Sequence, residues 1–502
     1  MVFQGWPRRS GAARTTAAAH GAERVGKRVR AIRQSSQRDF ADHVEAVQRL
    51  QRDYARLPAG APVRLAKPTS NLFRFRDSSD APRLDVSAFT SVLAVDPVER
   101  VAEVGGMTTY EDLVAATLPH GLMPLVVPQL RTITIGGAVT GLGIESSSFR
   151  NGLPHESVEE IEILTGSGDV VAARRDNEHS ELFYGFPNSY GTLGYSLRLR
   201  IELEPVKPYV HLRHLPFGDA KEAMEAFERI CGDAEYKGER VDFVDGVAFG
   251  PGELYLTLAS FVDHAPWTSD YTGTDIYYRS IPRYAGPGPG DYLTVHDYLW
   301  RWDTDWFWCS GAFGLGNPMV RRLWPRPLKR SDVYRRLVAL DRRTDFSRLL
   351  NRYRGRPQQE PVIQDIEVGV ERGAEFLDFF HAEIGMSPIW MCPLRLRETA
   401  PPAAGRSHVW PLYPLERERL YVNFGFWGMV PMRPGQRRAH HNRAVEEEVS
   451  RLGGHKSLYS DAFYSEDEFW RLYNGEGYRS LKHAYDPGGR LLDLYDKCVG
   501  NR

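Results

Sequence analysis

Residues 128–152 constrain this chain more than any other stretch. Gly136, Gly137, Gly141, Gly143 and Gly152 alternate there with Thr132, Thr134, Thr140 and the triplet Ser146-Ser147-Ser148. Glycine lets backbone approach a ligand closely and adopt positive φ. Consecutive exposed N–H groups in such a loop form a concave anion site. Arg131, Glu145 and Arg150 are the only charges in the stretch, so a bound anion would be held mainly by backbone dipoles. A plain glycine-rich turn between two strands is the other reading of the same residues.

Two phosphate-binding signatures are absent. There is no G-x-x-x-x-G-K-[ST], and no G-x-G-x-x-G leading from a strand into a helix. A strand pattern, not a helix, follows Gly152. The turn Thr134-Ile135-Gly136-Gly137 instead resembles the "T-[IV]-G-G" pyrophosphate turn of the vanillyl-alcohol-oxidase-like flavoproteins. The longer run Gly141-Leu142-Gly143-Ile144-Glu145-Ser146-Ser147-Ser148 is narrower and is similar to the 24-dehydrocholesterol (Δ24-sterol) reductase family. The likeness continues from about Val63 to the C-terminus. It implies an α+β fold: a two-subdomain, PCMH-type FAD-binding domain with an α+β cap or substrate domain.

Composition limits the alternatives. A chain of 502 residues has room for two or three domains. A formal net charge of −1 supplies no field for nucleic acid, and no basic tract carries interleaved aromatics. Cys231, Cys309, Cys392 and Cys498 lie far apart and form neither a C-x-x-C pair nor a metal spacing, so no metal is expected. No run approaches ~18 consecutive apolar residues, the length of a membrane span. The N-terminus has arginines without an apolar core, whereas animal sterol reductases begin with a membrane anchor. A reduced, cytoplasmic setting is expected. The missing anchor and the excess of Arg over Lys point to a bacterial chain.

The expected organisation is a tail and helix at 1–56, an FAD-binding domain at 57–206, a cap at 207–440, and a segment at 441–502 that returns to the FAD domain. Residues 1–22 read as disordered. Apolar residues from Val25 to Tyr54 recur at helical spacing. Thr108 is placed to cap a helix over Tyr110–Leu118, and Val158–Leu164 with Val170–Ala173 reads as a hairpin. The resemblance assigns the FAD contacts. Lys67, Thr69, Ser70 and Asn71 form the first turn, which has no His to bond covalently, so FAD is expected to be non-covalent. Thr134, Ile135, Gly136 and Gly137 form the second. Thr140, Gly141, Ile144, Glu145, Ser146 and Ser147 follow it. Gly191, Leu193 and Gly194 belong to an "S-x-G-T-L-G" turn passing beside the flavin, and Asp461 and Lys482 come from the tail. Lys482 also reads as a surface lysine.

Two stretches of the second half stand out. Residues 292–330 pair aromatics with arginines, as in Trp300-Arg301-Trp302, Trp306-Phe307-Trp308 and Arg321-Arg322-Leu323-Trp324. They suit either an interfacial surface or a buried aromatic core. Val362–Val368 alternates as a strand, with Asp365 and Glu367 on one face. Such a pair usually faces solvent. In related flavoproteins the matching strand lies over the flavin, which makes Asp365 the preferred polar group near the chemistry. Cys392 has no paired base and reads as a structural thiol.

The resemblance implies reduction of an isolated C=C bond with NADPH. Such an alkene has no carbonyl to polarise it, so an acid must protonate one carbon as hydride reaches the more substituted one. Asp365, Tyr459 and Tyr464 are the candidate acids. Aromatic faces, with Trp390, Trp427 and Tyr421 the candidates, favour the developing cation. A lipid substrate follows, with peripheral membrane contact through residues 300–324. Because most bacteria make no sterols, a 10-methylene-fatty-acyl chain is the preferred substrate. A Δ24 sterol comes second, and a sugar-lipid or alditol oxidase third.

Overall fold

The computed structural model describes residues 37–58, 60–67, 73–74, 81–273, 275–344, 357–397 and 408–500. The expected disordered tail, the start of the first helix, and the FAD-turn residues Thr69, Ser70 and Asn71 lie outside them.

The chain builds two lobes, each on an antiparallel sheet. In the first, strands run in the order Val92–Asp96, Val101–Gly105, Tyr195–Pro205, Val158–Leu164 and Val170–Arg174, with Leu122–Pro124 pairing the far end of Tyr195–Pro205. The expected 158–174 hairpin is the pair at one edge of this sheet. A smaller unit sits beside it. Arg64–Ala66 pairs in parallel with Arg83–Asp85, and the helix over 37–55 packs Ala46, Leu50 and Tyr54 against Val63, Leu84 and Phe89. The helix Tyr110–Thr117 is capped by Thr109, whose hydroxyl accepts from Asp112 N, and not by Thr108. Thr108 is fully buried and donates to Ser91 O. The helix Ile135–Gly141 lies close against Tyr195–Pro205, and a Cβ on Gly136 would overlap Ser196 and the Gly106 carbonyl.

The second lobe is an eight-stranded sheet in the order Asp291–Thr294, Tyr209–Phe217, Glu253–Val262, Phe243–Gly250, Ile389–Leu394, Tyr421–Pro431, Gln359–Gly369 and His455–Lys456. Period-2 alternation divides its residues between two faces. One face carries Val362, Ile366, Val422, Phe424, Phe426 and Met391. Helices Ala220–Asp233, Gly373–Phe379 and His440–Arg451 cover it. Ala220–Asp233 is started by Asp219, which accepts from Glu222 N. It buries Ala223, Met224, Phe227 and Ile230 at helical spacing. Each such apolar side chain contributes roughly 1.5–3 kcal/mol, so this face is settled by packing alone. The opposite face carries Asp365, Glu367, Asn423, Trp427, Trp390 and Cys392 and turns toward the first lobe.

The last segment ties the lobes together. After the edge strand His455–Lys456, Tyr459 O accepts from Phe73 N at 2.9 Å, Tyr485 O from Ser167 N at 3.1 Å and Arg490 O from Val63 N at 2.8 Å.

The aromatic stretch is core. Trp300, Trp302, Trp306 and Phe307 are all buried, and Trp302 stacks on Phe307 with centroids 4.9 Å apart. This corrects the interfacial reading of Trp306 and Trp308. The exposed apolar side chains of this region are Met319, Val320, Leu323 and Leu328. No helix among the described residues is long and apolar enough to cross a membrane.

Candidate active site

A cavity of about 490 Å³ lies between the lobes, within the roughly 300–1,000 Å³ of ligand clefts. The first lobe supplies one wall from several turns. Lys67, Thr134, Gly136 and Gly137 line it, as do Thr140, Gly141 and Ile144. Gly191 and Gly194 come from the 188–194 turn. That turn holds four residues at positive φ, namely Asn188 (62°), Tyr190 (51°), Gly191 (75°) and Gly194 (150°). Strain of this kind persists only where surroundings over-determine it. Here Tyr190 N donates to Thr140 O at 2.9 Å and the Tyr190 hydroxyl donates to Gly141 O at 2.7 Å. The turn is thereby tied to the glycine-rich loop.

The second lobe supplies the opposite wall from Trp306, Phe307, Asp365, Trp390, Trp427 and Tyr459. Phe307 and Trp427 have centroids 4.3 Å apart, and Phe307 and Trp390 5.5 Å. Among the described residues lining this wall, Asp365 is the only carboxylic acid. Asn423 Nδ2 donates to its Oδ1 at 3.3 Å, and the Tyr459 hydroxyl bonds to it. Trp427 Nε1 in turn donates to the Tyr459 oxygen at 2.8 Å. Burial raises the Asp365 carboxyl to about 7, which the Asn423 and Tyr459 bonds only partly offset. Burial drives the Tyr459 phenol well above its ordinary value, with the Asp365 charge adding to it. Asp365 and Glu367 thus share a face as expected, but that face is buried between the lobes.

Other expected site residues stand elsewhere. Tyr464 is buried outside the cavity wall, against Tyr473 at a centroid distance of 6.3 Å. Glu145, Ser146 and Ser147 turn away from the cavity. Glu145 accepts from Ser146 N at 2.8 Å and lies 3.7 Å from Arg301 Nη2. Arg301 pairs with Asp245 at 2.8 Å, and Asp245 Oδ2 accepts from both Trp302 and Trp390 Nε1 at 3.3 Å. This buried charge network fixes Trp390 from behind. Ser147 Oγ donates to Leu125 O at 2.8 Å. Ile135 and Leu193 are core residues. Lys482 braces the strained turn from outside, donating to Thr192 O at 2.8 Å and to Leu491 O at 2.7 Å while pairing with Asp486. The Asp461 carbonyl accepts from Lys456 Nζ at 2.6 Å, also off the cavity wall.

The sequence reading missed Ser457, Asn423 and Lys497. Asn423 had a findable signal, since it is a lone amide between Val422 and Phe424 in an otherwise apolar strand. Ser457 and Lys497 follow no periodic pattern. Lys497 lines the cavity and donates to Tyr190 O at 2.5 Å.

The residues present fit FAD. Gly137 opens on the cavity, where a Cβ would come within 2.8 Å of Thr134 Oγ1 and 4.0 Å of Lys67 Nζ. A backbone surface with a lysine beside it suits a pyrophosphate. Among the described residues no cluster of ligating side chains could hold a metal.

Comparison with known proteins agrees. The FAD binding domain family matches residues 40–174. The fold, the cavity and that match together define an FAD-dependent oxidoreductase with a PCMH-type FAD-binding domain. More particularly, the chain is similar over both lobes to Delta(24)-sterol reductases. It is 26% identical to that of Arabidopsis thaliana over 458 residues, covering 84% of this chain and 77% of the relative. It is 27% identical to that of Homo sapiens over 420 residues, covering 81% and 75%. Cytokinin dehydrogenase 6 of Oryza sativa subsp. japonica is 36% identical, but over 117 residues, 23% of this chain and 22% of that protein.

Proposed function

We propose that this protein reduces an isolated carbon–carbon double bond in a lipid, with NADPH as reductant. One observation carries the reading. A carboxyl held near neutrality, Asp365, stands in an aromatic wall that faces the FAD loops. Reduced FAD, when bound, supplies the hydride. The chain's own residues do the rest. Asp365 delivers a proton to the less substituted alkene carbon, and Tyr459, fixed by Trp427, holds the carboxyl in place. The rings of Trp390, Trp427 and Phe307 face the positive charge that grows at the branched carbon. A cation–π contact contributes roughly 0.5–2 kcal/mol. A general acid contributes about 10²–10⁴-fold, or roughly 3–5 kcal/mol, so the acid is the larger effect.

Relatives spanning both lobes are Delta(24)-sterol reductases, which favours a Δ24-type sterol side chain over the methylene-branched acyl chain preferred from sequence. Both are branched alkenes in an apolar chain and suit the same chemistry. The test is anaerobic incubation of the purified flavoprotein with NADPH and each lipid, followed by mass spectrometry. A gain of two hydrogens on the Δ24 sterol is expected. A gain on the methylene-acyl lipid alone would transfer the reading to that substrate, and no gain on either would overturn it.

A further inference from the structure

Glu367 lies one pleat beyond Asp365 on the same strand face, with its side chain wholly buried. Among the described residues no lysine or arginine forms an ion pair with it. A buried carboxylate without a cation is costly, and such a group keeps its proton instead. Two hydroxyls reach it. Tyr413 donates to Oε2, and Ser457 Oγ donates to Oε1 at 3.2 Å. Ser457 is itself part of the cavity wall, and its N–H donates to the Asp365 carbonyl at 3.0 Å. On the other side of Glu367, the Tyr413 ring packs against half-buried His455 at 5.6 Å. His455 also pairs with Glu367 in the sheet register. Ser457 thus joins Glu367 to the cavity wall, and half-buried His455 stands beside Glu367 on the neighbouring strand.

This arrangement has a use if the proposed reaction takes place, and the inference rests on that reading. Each turnover moves one proton from Asp365 to carbon. A cavity walled by aromatics and closed by substrate offers that carboxylate little direct access to water. We infer that Glu367 is the reserve acid of the site, returning a proton to Asp365 through the Ser457 hydroxyl after each turnover. In this exchange Ser457 accepts a proton on its oxygen from Glu367 and releases its own into the cavity, where the Asp365 carboxylate takes it. The Glu367 carboxylate then regains its proton from solvent at the side where His455 stands beside it, with Tyr413 remaining protonated. No electrons move, and the net change is one proton from water to the substrate. Burial raises the Glu367 carboxyl to about 8, and the Asp365 charge adds to that. The acid form is thus populated at neutral pH.

Glu367→Gln separates this role from a structural one. Below about pH 7 Asp365 begins a single turnover protonated, so there the first reduction of the lipid alkene by the NADPH-reduced holoenzyme should run at the wild-type rate. Steady-state turnover should slow on the order of tenfold or more, with a larger solvent deuterium isotope effect. Ser457→Ala should show the same split and decides the matter if Glu367→Gln does not fold. Infrared difference spectra of wild type against Glu367→Gln should show, independently of turnover, a protonated-carboxyl band at neutral pH that the variant lacks. The inference is overturned if first and later turnovers slow equally, if steady-state rates are unchanged, or if the difference spectrum shows no loss of a protonated-carboxyl band in the variant. Failure of the wild type to reduce any lipid alkene would remove the proposed function, while the infrared band would still test the protonation of Glu367.

Discussion

Gly425 faces Asp365 across the strand pair, and a Cβ there would overlap the Asp365 carboxyl and the Trp427 ring. The glycine leaves room for an acid in an aromatic wall, and burial does the rest. Because the carboxyl is raised from 3.8 to about 7, the unfolded chain releases that proton above about pH 4 and the folded protein only above about pH 7. The contribution to stability is complete below about pH 4 and lost as pH rises through about 7. Asp365→Asn removes this titration. The thermal midpoint of the variant, followed by circular dichroism, should decline less than wild type between pH 4 and 7, and an identical decline would contradict the account. At the other wall, Gly137→Val would place branched carbon on the cavity face, 2.8 Å from Thr134 Oγ1 and beside Lys67. The protein should purify folded but without flavin, as read from its visible absorption. A full complement of FAD would overturn the loop assignment. The sequence pointed to Asp365 and Gly137 through motif likeness. It could not tell that the Asp365 face is turned toward the first lobe, because period-2 alternation separates two faces without saying what covers each.

At the scale of elements, the 188–194 turn depends on partners far away in sequence. Lys482, on the helix Gly475–Tyr485, reaches Thr192, Leu491 and Leu492, and its partner Asp486 is buried. Removing one member of such a pair costs roughly 3–5 kcal/mol. Lys482→Met should lower the thermal midpoint and weaken FAD binding in calorimetry while leaving reduction of the bound flavin by NADPH unchanged. Unaltered FAD affinity would show that the turn does not need the brace. The hairpin of Val158–Leu164 with Val170–Ala173 and the strand around Asp365 were legible because local alternation and turn residues mark them. Tryptophans 300–308 were not. Aromatics beside arginines look alike at a membrane surface and in a core, and only the partners distinguish them. Arg301 is buried with Asp245 and Glu145, two residues with nothing in their local sequence to announce a salt bridge.

For the whole molecule, function resides between two sheets. The first lobe brings a glycine-rich backbone surface, the second an aromatic face from which Asp365 lines the cavity, and the tail closes them through Tyr459 and Phe73. The strand order of the eight-stranded sheet, in which Phe243–Gly250 lies beside Ile389–Leu394, joins segments far apart in the chain and could not be read from local pattern. The central claim is that Asp365 protonates carbon in the step that consumes the alkene. It is tested by mixing anaerobically reduced enzyme with the lipid alkene in a stopped-flow spectrometer and following return of the oxidised flavin absorption. The account predicts that Asp365→Asn binds FAD and is reduced by NADPH like the wild type. Its reoxidation by the alkene should slow by about 10²–10⁴-fold. Equal reoxidation rates for wild type and variant would contradict it.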